Sequence, residues 1–379
     1  MGEIAPFQVM ELLVRARGLE AEGRDIVHME IGEPDFDSPG PVVQAGRAAL
    51  DKGDIHYTPA MGLPELRGAI SNWYRTRYGV QVSPERICVT PGASGALLLA
   101  CGVLLNPGDQ VLMADPGYPC NRHFVRFCEG EPVGVPVNAG SAWQLTPEMV
   151  GTRWSGRTAA VLLASPSNPT GTVVPPQDMA AILDRVRAGG GSLIVDEIYH
   201  GLTYGFHAGT ALALSDEVFV VNSFSKYFGM TGWRLGWLVV PAGYAREVEK
   251  LAQNLFISPS TIAQRAALAA FAPENLAILE ARRGEFQRRR DYLLPALARL
   301  GFDLPVKPQG AFYLYAGCAS LTGESHRFAL DVLEKAGVAI TPGTDFGRHL
   351  PERHVRFAYT TSMERLQEGV RRLGRYLGA

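Results

Sequence analysis

The chain has 379 residues, 46% of them hydrophobic and 20% charged, with a formal net charge of −2. That make-up suits an ordinary soluble protein large enough for two domains, and the near-balanced charge gives no reason to expect a nucleic-acid or anionic-membrane partner. No apolar run reaches membrane-spanning length, the five scattered cysteines form no C-x-x-C pair, and residues 1–6 lack a basic region leading into an apolar stretch, so a cytoplasmic protein with reduced thiols and no metal is expected.

Residues 7–23 alternate apolar and charged positions at helical spacing, which predicts an amphipathic arm or first helix. A strand over residues 26–31 follows, ended by Gly32-Glu33-Pro34-Asp35. From about residue 85 to 240, short apolar runs (87–89, 111–113, 160–163, 193–195, 218–221 and 235–240) alternate with helix-like stretches. Such alternation predicts a mainly parallel sheet covered by helices on both faces. A helical stretch over 244–290 is interrupted near Ser258-Pro259-Ser260 and at Pro273, and its many arginines read as a solvated face. Residues 295–379 then mix strands (311–315, 338–340, 354–359) with helices, which predicts a smaller α+β domain. Pattern alone does not decide whether the N-terminal segment joins it. The expected division is 1–40 (an N-terminal arm and part of the small domain), 41–280 (a large domain) and 281–379 (the small C-terminal domain).

In an open parallel sheet, ligands bind beyond the carboxyl ends of the strands. Five predicted strand ends here carry chemistry. Ala93-Ser94-Gly95 lies in a small-residue turn into a helix, whose free N–H groups can hold phosphate, although many such turns use glycine. Tyr118 can stack on a flat ring or serve as a core tyrosine. The proline-stiffened loop Ser165-Pro166-Ser167-Asn168-Pro169-Thr170-Gly171 presents an amide. Asp196 ends a strongly apolar strand, where a carboxylate needs a cationic partner, whereas Glu197 reads better as a solvated helix cap. Lys226 ends the next strand beside Ser223 and Ser225, with Arg234 eight positions on. Hydroxyls and an arginine suit a phosphate, and the lysine amine can condense with an aldehyde as a Schiff base. Together these groups meet the demands of pyridoxal 5′-phosphate, whose ring nitrogen also needs a carboxylate.

With these motifs assembled, the sequence resembles the class I/II aminotransferases of the fold-type-I pyridoxal-phosphate superfamily, from Gly32-Glu33-Pro34-Asp35-Phe36 to Val355-Arg356-Phe357-Ala358-Tyr359. The resemblance implies an α/β fold: a large domain with a mainly parallel sheet of the seven-stranded type, and a smaller α+β domain. It further implies that Lys226 is the Schiff-base lysine, Asp196 pairs with the ring nitrogen, Asn168 and Tyr199 donate to the phenolic oxygen, and Tyr118 stacks on the ring. Ser94 with the neighbouring backbone of Ala93 and Gly95, Ser223, Ser225 and Arg234 would hold the phosphate. Arg356 would grip the substrate carboxylate, which Gly32 lets the backbone approach. Residues 55–67 are similar to the family's dimer-crossing stretch, which carries Tyr57 into the other subunit's site and implies a homodimer with shared active sites.

Transamination between an L-amino acid and a 2-oxo acid such as 2-oxoglutarate is therefore expected, with Lys226 as the base that moves the Cα proton. Some aspartate aminotransferases of the family carry a lysine where this chain has Ser94, and others use an arginine from a region that here, at 254–262, holds none. Both departures favour neutral donors such as alanine, aromatic or branched amino acids over aspartate. The alternatives are a carbon–sulfur β-lyase on the same cofactor, a nicotinamide-dependent oxidoreductase, and a non-catalytic regulatory module. The G-x-G-x-x-G spacing of a dinucleotide turn is absent, and no DNA-binding segment is appended.

Overall fold

The computed structural model describes Pro6 and residues 8–378, and the amphipathic stretch expected over 7–23 is a helix from Gln8 to Ala21. In chain order the strands are β1 (Val27–His28), β2 (Ile87–Thr90), β3 (Gln110–Asp115), β4 (Glu131–Pro136), β5 (Thr158–Ala164), β6 (Ser192–Asp196), β7 (Phe219–Ser223), β8 (Gly236–Val239), β9 (Tyr313–Gly317), β10 (Val338–Ala339), β11 (Thr341–Pro342) and β12 (His354–Ala358). The α-helices are α1 (Gln8–Ala21), α2 (Gly40–Lys52), α3 (Pro64–Tyr78), α4 (Gly92–Leu104), α5 (Pro119–Phe127), α6 (Pro147–Arg153), α7 (Pro176–Ala188), α8 (Ala245–Leu255), α9 (Thr261–Leu268), α10 (Pro273–Arg299), α11 (Ser325–Asp331) and α12 (Met363–Leu377).

Seven strands form the main sheet in the order β2-β8-β7-β6-β5-β3-β4. Strands β3 to β7 pair parallel, while β8 runs antiparallel to both β7 and β2. Because side chains alternate across a strand, each strand feeds two cores. Val161 and Leu163 of β5 join Ile70 of α3 and Ile182 of α7 on one face. Ala160 and Leu162 join Leu97 of α4 and Val248 of α8 on the other. Burial on both faces explains why these strands read as continuous apolar runs.

Strand β4 was not apparent in the sequence, since Pro132, Gly134 and Pro136 all oppose strand formation. It occupies the sheet edge and pairs only with β3, where proline's missing N–H is tolerated. The strand expected over residues 26–31 shrinks to Val27–His28. Beyond it the chain exchanges ladder partners for side chains: the Glu30 carbonyl accepts from Thr341 Oγ1 (2.9 Å) and Arg356, and the Ile31 carbonyl accepts from Thr360 Oγ1 (2.7 Å).

Strand β1 pairs parallel with β10, which ties the N-terminal segment to the C-terminal part. Leu12 and Leu19 of α1 close a small core against Leu333 and Ala339. Strand β12 lies between β11 and β9 in a three-stranded antiparallel sheet. The strand expected from residue 311 begins at Tyr313 instead, because Ala311 adopts a left-handed backbone (φ 56).

Candidate active site

One cavity of about 550 Å³ opens where the strands end, and Ser94, Tyr118, Asn168, Asp196, Lys226 and Arg356 all line it. Five of these follow β2, β3, β5, β6 and β7 directly or end them, whereas Arg356 enters from β12. Ala93, Tyr199, Ser223, Ser225, Arg234 and Gly32 complete the group that the sequence had singled out. Two expected residues stand elsewhere. Gly95 lies a residue deeper in α4, where an added Cβ would come within 2.9 Å of Pro91. Tyr57 does not line this cavity; it is 83% exposed on the outer surface.

The Lys226 amine donates to the Gly32 carbonyl at 2.7 Å. Burial pushes it down to about 8, with Arg356 and Arg234 adding to the fall and Glu33 opposing it. Asp196 is 4% exposed, and burial pushes its carboxyl up to about 7 despite a backbone bond from Ile198 N (3.0 Å) and the attraction of Lys226. It forms no salt bridge among the described residues, so the cation that its burial calls for is not a side chain at contact distance. Glu197, expected as a solvated cap, is fully enclosed instead: Thr210 Oγ1 (2.9 and 3.0 Å) and Ala211 N (2.7 Å) donate to it.

Arg356 is 2% exposed, so an edge charge in solvent is ruled out. Its Nη1 donates to Asn168 Oδ1 (2.9 Å), its Nη2 donates to the Glu30 carbonyl, and its buried Nε has no partner. The guanidinium lies over the Tyr313 ring, 4.4 Å from ring centre to Cζ, and Tyr313 exchanges a 2.9 Å hydrogen bond with Tyr199. A Cβ on residue 32 would stand 1.8 Å from the Tyr313 hydroxyl, which accounts for glycine there.

Gly92 (φ 71) opens α4, whose first turn lines the cavity through Ala93 and Ser94, and a Cβ on Gly92 would meet Arg234 Nη2 at 2.8 Å. Arg234 itself has a left-handed backbone (φ 54) and donates to the Thr231 carbonyl at 2.9 Å. A helix start, an arginine and the hydroxyls of Ser94, Ser223 and Ser225 make a site for a phosphate. Sequence reasoning did not reach Tyr313, Thr231, or Val9 and Met10 of α1, all of which line the cavity. Tyr313 looked like another apolar strand residue, and only the pairing of β9 with β12 brings it under Arg356.

The family model for aminotransferase class I and II matches residues 24–373. The chain belongs to that family. This class I/II aminotransferase is 39% identical to the valine–pyruvate aminotransferase of Mycobacterium tuberculosis over 99% of its own length and 97% of that protein's. It is 36% identical to the aspartate/prephenate aminotransferase of Thermus thermophilus, covering 98% and 96% of the two chains. The crystal structure of an aminotransferase from M. tuberculosis superposes with a TM-score of 0.96 at 39% identity over 100% and 98% of the chains. The T. thermophilus aspartate aminotransferase with maleate gives 0.92 at 35% identity over 98% and 97%. Family membership removes the nicotinamide and regulatory alternatives. The family's cofactor is pyridoxal phosphate, and the residues present fit it: an enclosed carboxylate without a salt-bridge partner among the described residues, an amine in the same cavity, and hydroxyls and an arginine suited to a phosphate.

Proposed function

We propose that this aminotransferase holds pyridoxal 5′-phosphate in the 550 Å³ cavity and moves an amino group from a neutral L-amino acid to a 2-oxo acid. The observation that carries the reading is Asp196, a buried acid whose missing cation a protonated ring nitrogen supplies. When bound, the cofactor supplies an aldehyde that carries the amino group and a ring that accepts electron density as the Cα proton leaves. Lys226 would hold that aldehyde, and its amine would serve as the general base that takes the proton from the substrate's Cα. An amine lowered to about 8 suits the task, because a useful fraction is neutral near physiological pH. Asp196 keeps the ring nitrogen positive. Tyr118 would cover the ring, Asn168 and Tyr199 would hold its phenolic oxygen, and α4, Ser94, Ser223, Ser225 and Arg234 would hold the phosphate. Tyr57 reaches the phosphate of the other subunit's site in a homodimer.

Arg356 binds the substrate carboxylate through a guanidinium that Asn168, the Glu30 carbonyl and Tyr313 hold in one plane. Met10, Ile31, Leu97 and Ile198 also line the cavity, and apolar side chains there support neutral donors. The valine–pyruvate relative supports a neutral donor as well, and the aspartate/prephenate relative the opposite preference. The acceptor is 2-oxoglutarate or pyruvate. A panel of alanine, valine, phenylalanine and aspartate with each acceptor tests this. One neutral donor is expected to exceed aspartate at least tenfold in kcat/KM; aspartate surpassing every neutral donor would overturn the preference, and oxo-acid release without any acceptor would point to β-elimination.

A further inference from the structure

A second cavity, of about 780 Å³, lies beside the first and is left without a role by the transamination reading. Tyr118 and Ala164 line both, so the stacking tyrosine forms part of the wall between them. The volume is within the range of small-molecule sites. Its charge is strongly one-sided: Arg122, His123 and Arg126 of α5 face Arg348 and His349 of the loop after Phe346, with Asp115 as the lining acid. Asp115 is already engaged, since its carboxylate accepts from Arg348 N (2.9 and 3.0 Å) and His349 N (3.3 Å). Arg122 donates to the Asp345 carbonyl (2.7 Å), and neither it nor Arg348 forms a salt bridge among the described residues, whereas Arg126 already has a partner.

Two further polar side chains belong to the lining. Asn121 lines the cavity at 4% exposure, and its Oδ1 has no hydrogen-bond partner; His123 Nδ1 is likewise buried and unpartnered. Buried polar groups are rarely left so, and turning the amide or choosing the other imidazole tautomer makes each position a donor. Arginines gathered in a cavity recognise oxyanions.

We propose that this cavity binds a small dianion, a dicarboxylate or a phosphate, between α5 and the 346–349 loop, separately from the substrate carboxylate at Arg356. The occupant would bridge the main sheet, through α5, and the loop that precedes β12.

Calorimetric titration of the cofactor-loaded protein with succinate and, separately, with inorganic phosphate tests the proposal. Succinate is expected to fill two sites. The Arg356→Gln variant is expected to lose one of them, and the double variant Arg126→Gln/Arg348→Gln is expected to weaken the other at least tenfold. In that double variant kcat/KM for a neutral amino acid should stay within twofold of the native value, which shows that the fold and the first site are intact. Phosphate binding that the double variant weakens likewise supports the proposal and identifies the phosphate class. A single succinate site abolished by Arg356→Gln, together with no phosphate binding sensitive to the double variant, would overturn it while leaving the transamination reading untouched.

Discussion

At Arg356 a charge in mid-strand is held between two aromatic faces, Tyr313 at 4.4 Å and Phe346 at 4.8 Å from ring centre to Cζ. Planarity lets the guanidinium stack on a ring and still donate within its plane, which an ammonium cannot do. Replacement by lysine keeps the charge but loses the two-point grip on carboxylate. A charged hydrogen bond contributes roughly 1.5–3 kcal/mol, so Arg356→Lys is expected to lower kcat/KM by about 10- to 100-fold, mainly through KM. Steady-state kinetics on the preferred donor measures this; a change under threefold would remove Arg356 from the carboxylate site. Residues of this scale were legible in the sequence when their type conflicted with their surroundings. Asp196 ends one apolar strand and Lys226 closely follows another, β7, where an ionisable group needs a reason. Tyr313 and Phe346 raised no such conflict, because aromatic residues are at home in a core. Their place beside Arg356 follows from the packing of β9 and the loop before β12, which no local pattern encodes.

Among the elements, β1 is two residues long and depends on contacts beyond its ladder with β10. His28 supplies one of them: its Nδ1 meets Glu30 Oε1 at 2.7 Å and its Nε2 meets Glu20 Oε1 of α1 at 3.1 Å. The Glu30 hydrogen bond, against the opposing effect of burial, raises the imidazole to about 9. A folded-state pKa above the unfolded value of 6.5 gives stabilisation that is full below about 6.5 and lost as pH rises through about 9. His28→Gln should therefore lower Tm at pH 6, with the gap to the native protein narrowing steadily from pH 7 to 10. Melting curves across that range decide the matter; a gap that is flat or widens with pH would mean that the protonated imidazole is not what stabilises β1. The other elements show which signals survive in a sequence. Strands β3, β5, β6 and β7 were legible because burial on both faces makes them uniformly apolar. Strand β4 was not, since an edge position frees it from that requirement and admits Pro132 and Pro136.

Across the whole molecule, Ile55, Tyr57, Leu255 and Ile257 are exposed (51, 83, 46 and 58%). Their two segments are tied together, Thr261 Oγ1 donating to the His56 carbonyl (2.6 Å) and Gln264 Nε2 to Thr58 Oγ1 (3.1 Å). Such a surface is what a homodimer with shared sites would cover. Ile257 has a left-handed backbone (φ 64) that aspartate adopts more readily than isoleucine, so Ile257→Asp puts a charge on the surface without straining the fold. Light scattering should give twice 41.0 kDa for the native protein and about 41.0 kDa for the variant, with activity falling alongside. A native monomer with full activity would refute the shared site. The central assignment, the cofactor aldehyde on the ε-amine of residue 226, has a direct measurement. Borohydride reduction of the loaded protein followed by peptide mapping should place the fixed cofactor on the peptide that contains Lys226, with nothing retained in Lys226→Ala. A label found on a different lysine, or no label at all on protein saturated with pyridoxal phosphate, would contradict the account.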